Sequence, residues 1–472
     1  MIKKSYFHYA LTSLAVIVVF LVLILSVISS DMDPYISSSF IPVAIILIAA
    51  IFIESSNRAY SLHMIHLILL FLLMVLAPFY QYLSGSFPWD DGGPSFENND
   101  VIFANALVMM WVLMYLFGYW LGRVAFHNRY IGPISSFFMH EITKNKIKIL
   151  FFISLFIIFY MAVMGYGGVY TRFGYESITY KYGQIYYLIM SYFVRVIPYI
   201  FLVVLLLLKD RRDNPFKGIL LVSAIVIFYV NNPFAAARFW LVVIILAIFC
   251  AFYLRKLKTA YPLLMMVIFG IMVMPILNAG RHLTEITLPH LFSFISLDRT
   301  IFFVKGYLSS SGDFDAYSNL MRAVSYVDEN GITWGHQLFG SLFFWIPRQF
   351  WEEKPIGSGH MVAKFYELKL ENISFPLPAE GYINFGLIGV IMFAISFGML
   401  LNFIDSKYYL SKRDSSGAIR LIDVLYLFLL GMIVFITRGD MMSSFSYSIA
   451  LILAVIISTV SFFHLKLRVS SR

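Results

Sequence analysis

Charge is what this sequence has least of: 13% of its 472 residues are Asp, Glu, Lys or Arg, against 60% that are hydrophobic. Soluble domains carry about a quarter charged residues. A soluble globule of this length is therefore excluded, and a polytopic membrane protein is expected. Cysteine is nearly absent. The single Cys250 excludes an intrachain disulfide and a thiolate metal cluster. No HExxH occurs, and His282, His290, His336 and His360 are not spaced as zinc ligands, so no metal is expected. There is no GxSxG and no phosphate-cradling Gly-rich loop, so no cytoplasmic ATPase or nucleotide-sugar site is expected. There is also no internal repeat, which argues against a transporter built from two similar halves.

What is present is hydrophobic length. Apolar runs able to cross about 30 Å of hydrocarbon lie near 9–29, 36–53, 62–83, 101–121, 149–166, 185–208, 216–231, 238–254, 260–277, 381–404, 421–437 and 445–465. The fold expected is all-α, an integral membrane protein of about twelve transmembrane helices with one large external loop. The expected division is a membrane domain over 1–277, a loop with short helices over 278–380, and a second membrane portion over 381–472. Lys3 and Lys4 precede the first run, but Asp31 to Tyr35 offers no small-residue cleavage site, so that run is read as an uncleaved span.

Orientation follows from the basic residues. Of the 35 Lys and Arg, 22 fall in the termini and alternate loops on one side, while 19 of the 26 Asp and Glu fall elsewhere. The positive-inside rule places both termini in the cytoplasm. The same rule accounts for the net charge of +9 without nucleic acid as a partner.

Several charges stand where charge is costly. Arg195 is read as lying well within the sixth span, beside Pro198. Its partner is an anionic ligand, a wet cavity, backbone carbonyls, or a carboxylate on another helix; Asp423 is the only acid inside the spans as drawn. Arg238 follows the polar break NNPFAAAR, after a run of 16 residues, about 24 Å long at 1.5 Å per residue. It is expected to point into an outward cavity, with snorkelling as the alternative. Among external cations, Arg281 and Arg348 are the strongest candidates for binding phosphate, which suits the planar guanidinium. Candidate bases are Glu352, Glu353, Glu380 and Asp440. Glu380 starts the tenth span, where it serves either as a base or as a helix cap. Asp313 is expected to cap a helix running toward Val327. His336 to Phe344 reads as a helix lying on the membrane, and Met361, Val362, Phe365 and Leu368 recur at helical spacing.

The string GHQLFGSLFFWIPRQFWEEKP, followed by PAEGYINFGLIG leading into a span, resembles the O-antigen or oligosaccharide repeat-unit polymerases of the Wzy type. The resemblance implies a GT-C-like, metal-independent glycosyltransferase that needs no cofactor and sits in a bacterial inner membrane. Its substrate would be polyprenyl-diphosphate-linked oligosaccharide on the periplasmic face, with membrane lipid and a chain-length regulator protein as further partners. On this resemblance Arg348 and Glu380 are the catalytic pair. Lys354, Trp351 and Tyr382 join Arg195, Arg238 and Arg281 in holding the diphosphate and the sugars. An O-antigen ligase and a flippase of lipid-linked oligosaccharide are the alternatives.

Overall fold

The computed structural model describes residues 33–58, 60–89, 94–127, 136–139, 144–163, 189, 193–208, 237–253, 306–309, 311–410, 419–462 and 465–468. Helix α1 (Pro34–Asn57) opens on Asp33, whose carboxylate accepts the Tyr35 amide at 2.9 Å, and on Pro34, which has no amide proton to leave unpaired. Helix α2 (Leu62–Ser84) starts at Ser61, whose hydroxyl accepts the Met64 amide at 3.0 Å. Next come α3 (Asn98–His127), strand β1 (Ser136–Met139), α4 (Lys144–Val163), α5 (Ile197–Leu208) and α6 (Arg238–Tyr253). Three shorter helices follow outside the apolar runs, α7 (Ala316–Asn330), α8 (His336–Leu342) and α9 (Ser358–Phe365). The chain then forms α10 (Leu377–Leu410), β2 (Ile419–Arg420), α11 (Leu421–Arg438), α12 (Met441–Phe462) and β3 (Leu465–Arg468).

Among the described residues six helices, α1, α2, α3, α10, α11 and α12, are long and apolar enough to cross a membrane. Shorter apolar helices lie in 148–160, 194–207 and 238–251. The chain is a helical membrane protein. The runs near 9–29, 216–231 and 260–277 lie outside the described residues.

Packing between the long helices relies on small residues, because apolar side chains gain little from leaving lipid for protein. Helix α3 meets α10 at Gly118 and Gly398, and a Cβ on Gly398 would lie 2.6 Å from the Tyr119 amide nitrogen. Helix α10 is not continuous. Phe385 (φ −146°, ψ 20°) and Gly386 (φ 61°, ψ −144°) interrupt it, so Leu377 to Asn384 is a separate short helix bent back on the next. The freed carbonyls find partners in the segment before α8: Ile383 accepts the Thr333 amide at 2.8 Å, and Asn384 accepts the Gly335 amide at 3.3 Å. Trp334 (φ 49°) and Gly335 (φ 83°) are both left-handed there, a conformation that tryptophan rarely adopts.

At the opposite end of the bundle the helices run further than hydropathy indicates. Glu54 closes α1 and Asp405 lies in α10, both buried, so Asp423 is not the only acid in the helices. Asp405 accepts the Leu62 and His63 amides at 3.1 and 3.3 Å, capping α2, and takes hydroxyl bonds from Tyr119 and Tyr426. Arg58 approaches it at 3.8 Å. Nearby, β1 pairs antiparallel with both β2 and β3. Its three strands come from segments that the span order assigns to one side of the membrane. This small sheet was not expected from the sequence.

Candidate active site

The segment from 311 to 376 is folded onto the membrane helices by buried polar groups. Arg322, fully buried on α7, donates to the carbonyls of Pro88 and Trp89, both at 2.9 Å, and to Ser318 and Asn319. Asp315 accepts the Trp89 indole at 2.8 Å and the Ser374 hydroxyl. Arg438, the last residue of α11, contacts Asp315 at 3.4 Å and Asp313 at 3.6 Å.

Asp313 does not cap α7, as its place in the sequence led one to expect. Its carboxylate binds Arg238 and the Tyr307 hydroxyl as well as Arg438. The N-cap position belongs to Asp315, which makes no capping bond. The reason is electrostatic: two arginines at helix ends are stronger partners than backbone amides. Burial pushes the Asp313 carboxyl up, and Arg438 and then Arg238 more than reverse this, leaving it below its ordinary value. Arg238 thus has a protein carboxylate as partner, supplied by the segment before α7 rather than by another span.

The other residues singled out in the sequence divide into two groups. Arg348 and Lys354 come together. The two guanidinium nitrogens of Arg348 donate to the Lys354 and Pro355 carbonyls at 2.6 and 3.2 Å. The Lys354 ammonium donates to Phe344 at 2.5 Å and Ile346 at 2.9 Å. Partial burial, and then the Arg348 charge, lower the Lys354 ammonium below its ordinary value. Pro355 lies three residues before Ser358, whose hydroxyl donates to Glu380 at 2.7 Å. Three residues span at most about 11 Å, so the cationic turn and the carboxylate belong to one region.

Glu380 is fully buried. Its second oxygen accepts the Met441 amide at 2.8 Å, at the start of α12. Asp440, the preceding residue, accepts the Gly359 amide at 2.9 Å at the start of α9, and burial pushes its carboxyl up. A Cβ on Gly357 would lie 2.6 Å from an Asp440 oxygen. Two short segments, 357–359 and 440–441, therefore clasp two carboxylates at the helix break. Asn384 completes the corner, donating to the Glu380 carbonyl at 2.9 Å and accepting the Leu338 amide at 3.0 Å.

Compared with protein-family models, curated proteins and solved structures, the chain matches none. Its site is therefore read from its own geometry.

The second group lies apart from this corner or outside the described residues. Tyr382, two residues from Glu380, is on the other side of the short helix, since successive helical residues turn by about 100°. It packs edge-on against Phe103 of α3, with ring centroids 6.1 Å apart. Trp351 is the exception: it lies within the Arg348–Lys354 turn, where its carbonyl accepts the Lys354 amide at 3.1 Å, and it is half-buried near the His336 ring. Arg195 lies in a single 3₁₀ turn, Val194–Val196, that leads directly into α5. Arg281 lies outside the described residues. Ser358, Asn384 and Arg438 were missed in the sequence, although Asn384 stands within the string PAEGYINFGLIG.

Proposed function

We propose that the chain is a membrane glycosyltransferase that joins polyprenyl-diphosphate-linked oligosaccharide units, built on about twelve spans with the 278–380 segment on the periplasmic face of a bacterial inner membrane. The observation that carries this reading is the placement of a buried carboxylate, Glu380, in hydrogen-bond contact with Ser358 at 2.7 Å, three residues beyond the turn that holds Arg348 and Lys354. An enzyme facing outward needs a donor that is already activated, and a lipid diphosphate meets that need.

In this reading the acceptor hydroxyl oxygen attacks the anomeric carbon of the donor sugar. Its proton passes to Glu380, and the bond from that carbon to the diphosphate oxygen breaks. Polyprenyl diphosphate leaves with its developing charge held by Arg348 and Lys354. Loading of the donor exchanges the backbone acceptors of these two cations for phosphate oxygens. The test is the surface polysaccharide of cells carrying Arg348→Ala. The reading expects core capped by single repeat units. Bare core with accumulated lipid-linked polymer would move the chain to a ligase, and unpolymerised units held inside would move it to a flippase.

A further inference from the structure

Between Trp334 and Phe350 the chain exposes large apolar side chains that belong to no spanning helix. Trp334 is 77% exposed, Phe339 55%, Trp345 66% and Phe350 83%, with Leu342 and Phe343 also open. Phe339, Leu342 and Phe343 fall at the three- and four-residue spacing that forms one stripe of α8. The Phe339 and Phe343 rings stack with centroids 6.3 Å apart, and Phe343 meets Trp345 at 6.4 Å. The opposite face of α8, Gln337, Gly340 and Ser341, is buried. Helix α8 is thus amphipathic, and the turn after it extends the apolar side.

What lies beneath α8 sets its level in the fold. A Cβ on Gly340 would sit 3.1 Å from the Met442 side chain, just past the α11–α12 turn, and one on Gly335 would sit 2.7 Å from Phe385 at the break in α10. Helix α8 therefore crosses the fold where the spanning helices turn, at the membrane boundary. The two spanning helices it lies against expose apolar side chains of their own, Leu387, Ile388 and Met392 on α10 and Ile449 and Leu453 on α12. Water tolerates a contiguous patch of this kind poorly, whereas tryptophan and phenylalanine beside a span end suit the interfacial layer of a bilayer.

We propose that this face is a membrane-docking surface. Helix α8 and the turn through Phe350 lie in the interfacial layer of the leaflet at which α11 and α12 turn, with lipid covering Trp334, Phe339, Phe343, Trp345 and Phe350. Docking holds Arg348, on the same turn, at the depth of lipid phosphates. The occupant is lipid rather than a second copy because α8 lies directly against α10 and α12, spanning helices whose exposed apolar side chains face lipid.

The test uses the full chain in vesicles of phosphatidylcholine and phosphatidylglycerol. A nitroxide is attached in turn to Phe343→Cys, Trp345→Cys and Phe350→Cys; the native Cys250 is buried, and the unsubstituted chain controls for its labelling. Ile388→Cys serves as the lipid reference and Asn330→Cys as the water reference. All three positions should show oxygen collisions exceeding those with a water-soluble nickel chelate, as at Ile388. The Asn330 pattern would place the face in water and overturn the proposal. Exclusion of both probes would also overturn it, because protein would then cover the face. As a second readout on near-native protein, brominated lipid should quench less tryptophan fluorescence once Trp334→Phe and Trp345→Phe are combined, and unchanged quenching would count against docking.

Discussion

Gly381 and Gly389 touch backbone to backbone across the break in α10: a Cβ on Gly381 would lie 2.8 Å from the Gly389 carbonyl oxygen. In an unbroken helix, residues eight apart are about 12 Å apart along the axis. Their contact measures how sharply the chain folds back, and it is this fold that carries Glu380 to the starts of α9 and α12.

The corner should therefore fail through its glycines. Gly386→Ala puts a side chain at φ 61°, ψ −144°, a region that favours glycine, at a cost of about 1–3 kcal/mol. Gly389→Val should do worse, because the added carbons have nowhere to go. Thermal unfolding in detergent should show both melting below wild type, the valine variant lowest, with reduced yield. Wild-type melting of Gly389→Val would show that the backbones do not touch.

Asp313 holds Arg238 and Arg438 together, and Asp313→Asn removes the charge while keeping the shape. These groups are partly exposed, at 19–25%, so the loss should be about 1–3 kcal/mol rather than that of a fully buried pair. Its pH dependence has a definite sign. The folded Asp313 carboxyl lies below its ordinary value, so its stabilisation is complete above the unfolded value of about 3.9 and is lost as pH falls through the lower folded one. Melting temperature followed into acid should fall more steeply in wild type than in Asp313→Asn. Parallel curves would remove Asp313 from the account of acid lability.

At Glu380 two substitutions separate architecture from chemistry. Glu380→Gln keeps an oxygen for the Met441 amide, and the Ser358 hydroxyl can turn to accept, so the protein should fold. Polymer formation should drop by about 10²–10⁴-fold, the range for loss of a general base. Glu380→Ala also leaves the Met441 amide and Ser358 hydroxyl buried without a partner, at about 1–3 kcal/mol each, and should lower the yield as well. Full polymer length in stably folded Glu380→Gln would end the base assignment.

Arg348 is exposed, and its fork closes a turn that Lys354 also closes. Arg348→Ala should therefore leave membrane insertion and melting near wild type while lowering polymerisation by about 100-fold or more, as for loss of an oxyanion donor. Arg348→Lys should restore only part, since a point charge cannot reproduce a planar fork. Equal activity of the lysine variant and wild type would mean that bidentate geometry does not matter at this position.

The membrane class was determined by the sequence alone, because hydropathy is a sum over neighbouring residues that no distant contact can reverse. For the same reason α8 and α9 were foreseeable from local periodicity, and the described spans lie close to their apolar runs. The destinations of the charges were not foreseeable. Asp313 looked like a cap for its own helix until Arg238 and Arg438, 75 and 125 residues away in the chain, were brought to it by the packing of α6 and α11. Asp405 stood just beyond an apolar run, and only the start of α2 shows why a carboxylate is buried there. The NFG element was visible as letters, yet the break at Phe385 and Gly386 depends on amides from Thr333 and Gly335, fifty residues earlier, to satisfy the opened carbonyls. Local composition decides whether a segment enters the membrane, whereas the partner of each buried polar group is set by which remote segments the fold brings within hydrogen-bonding distance.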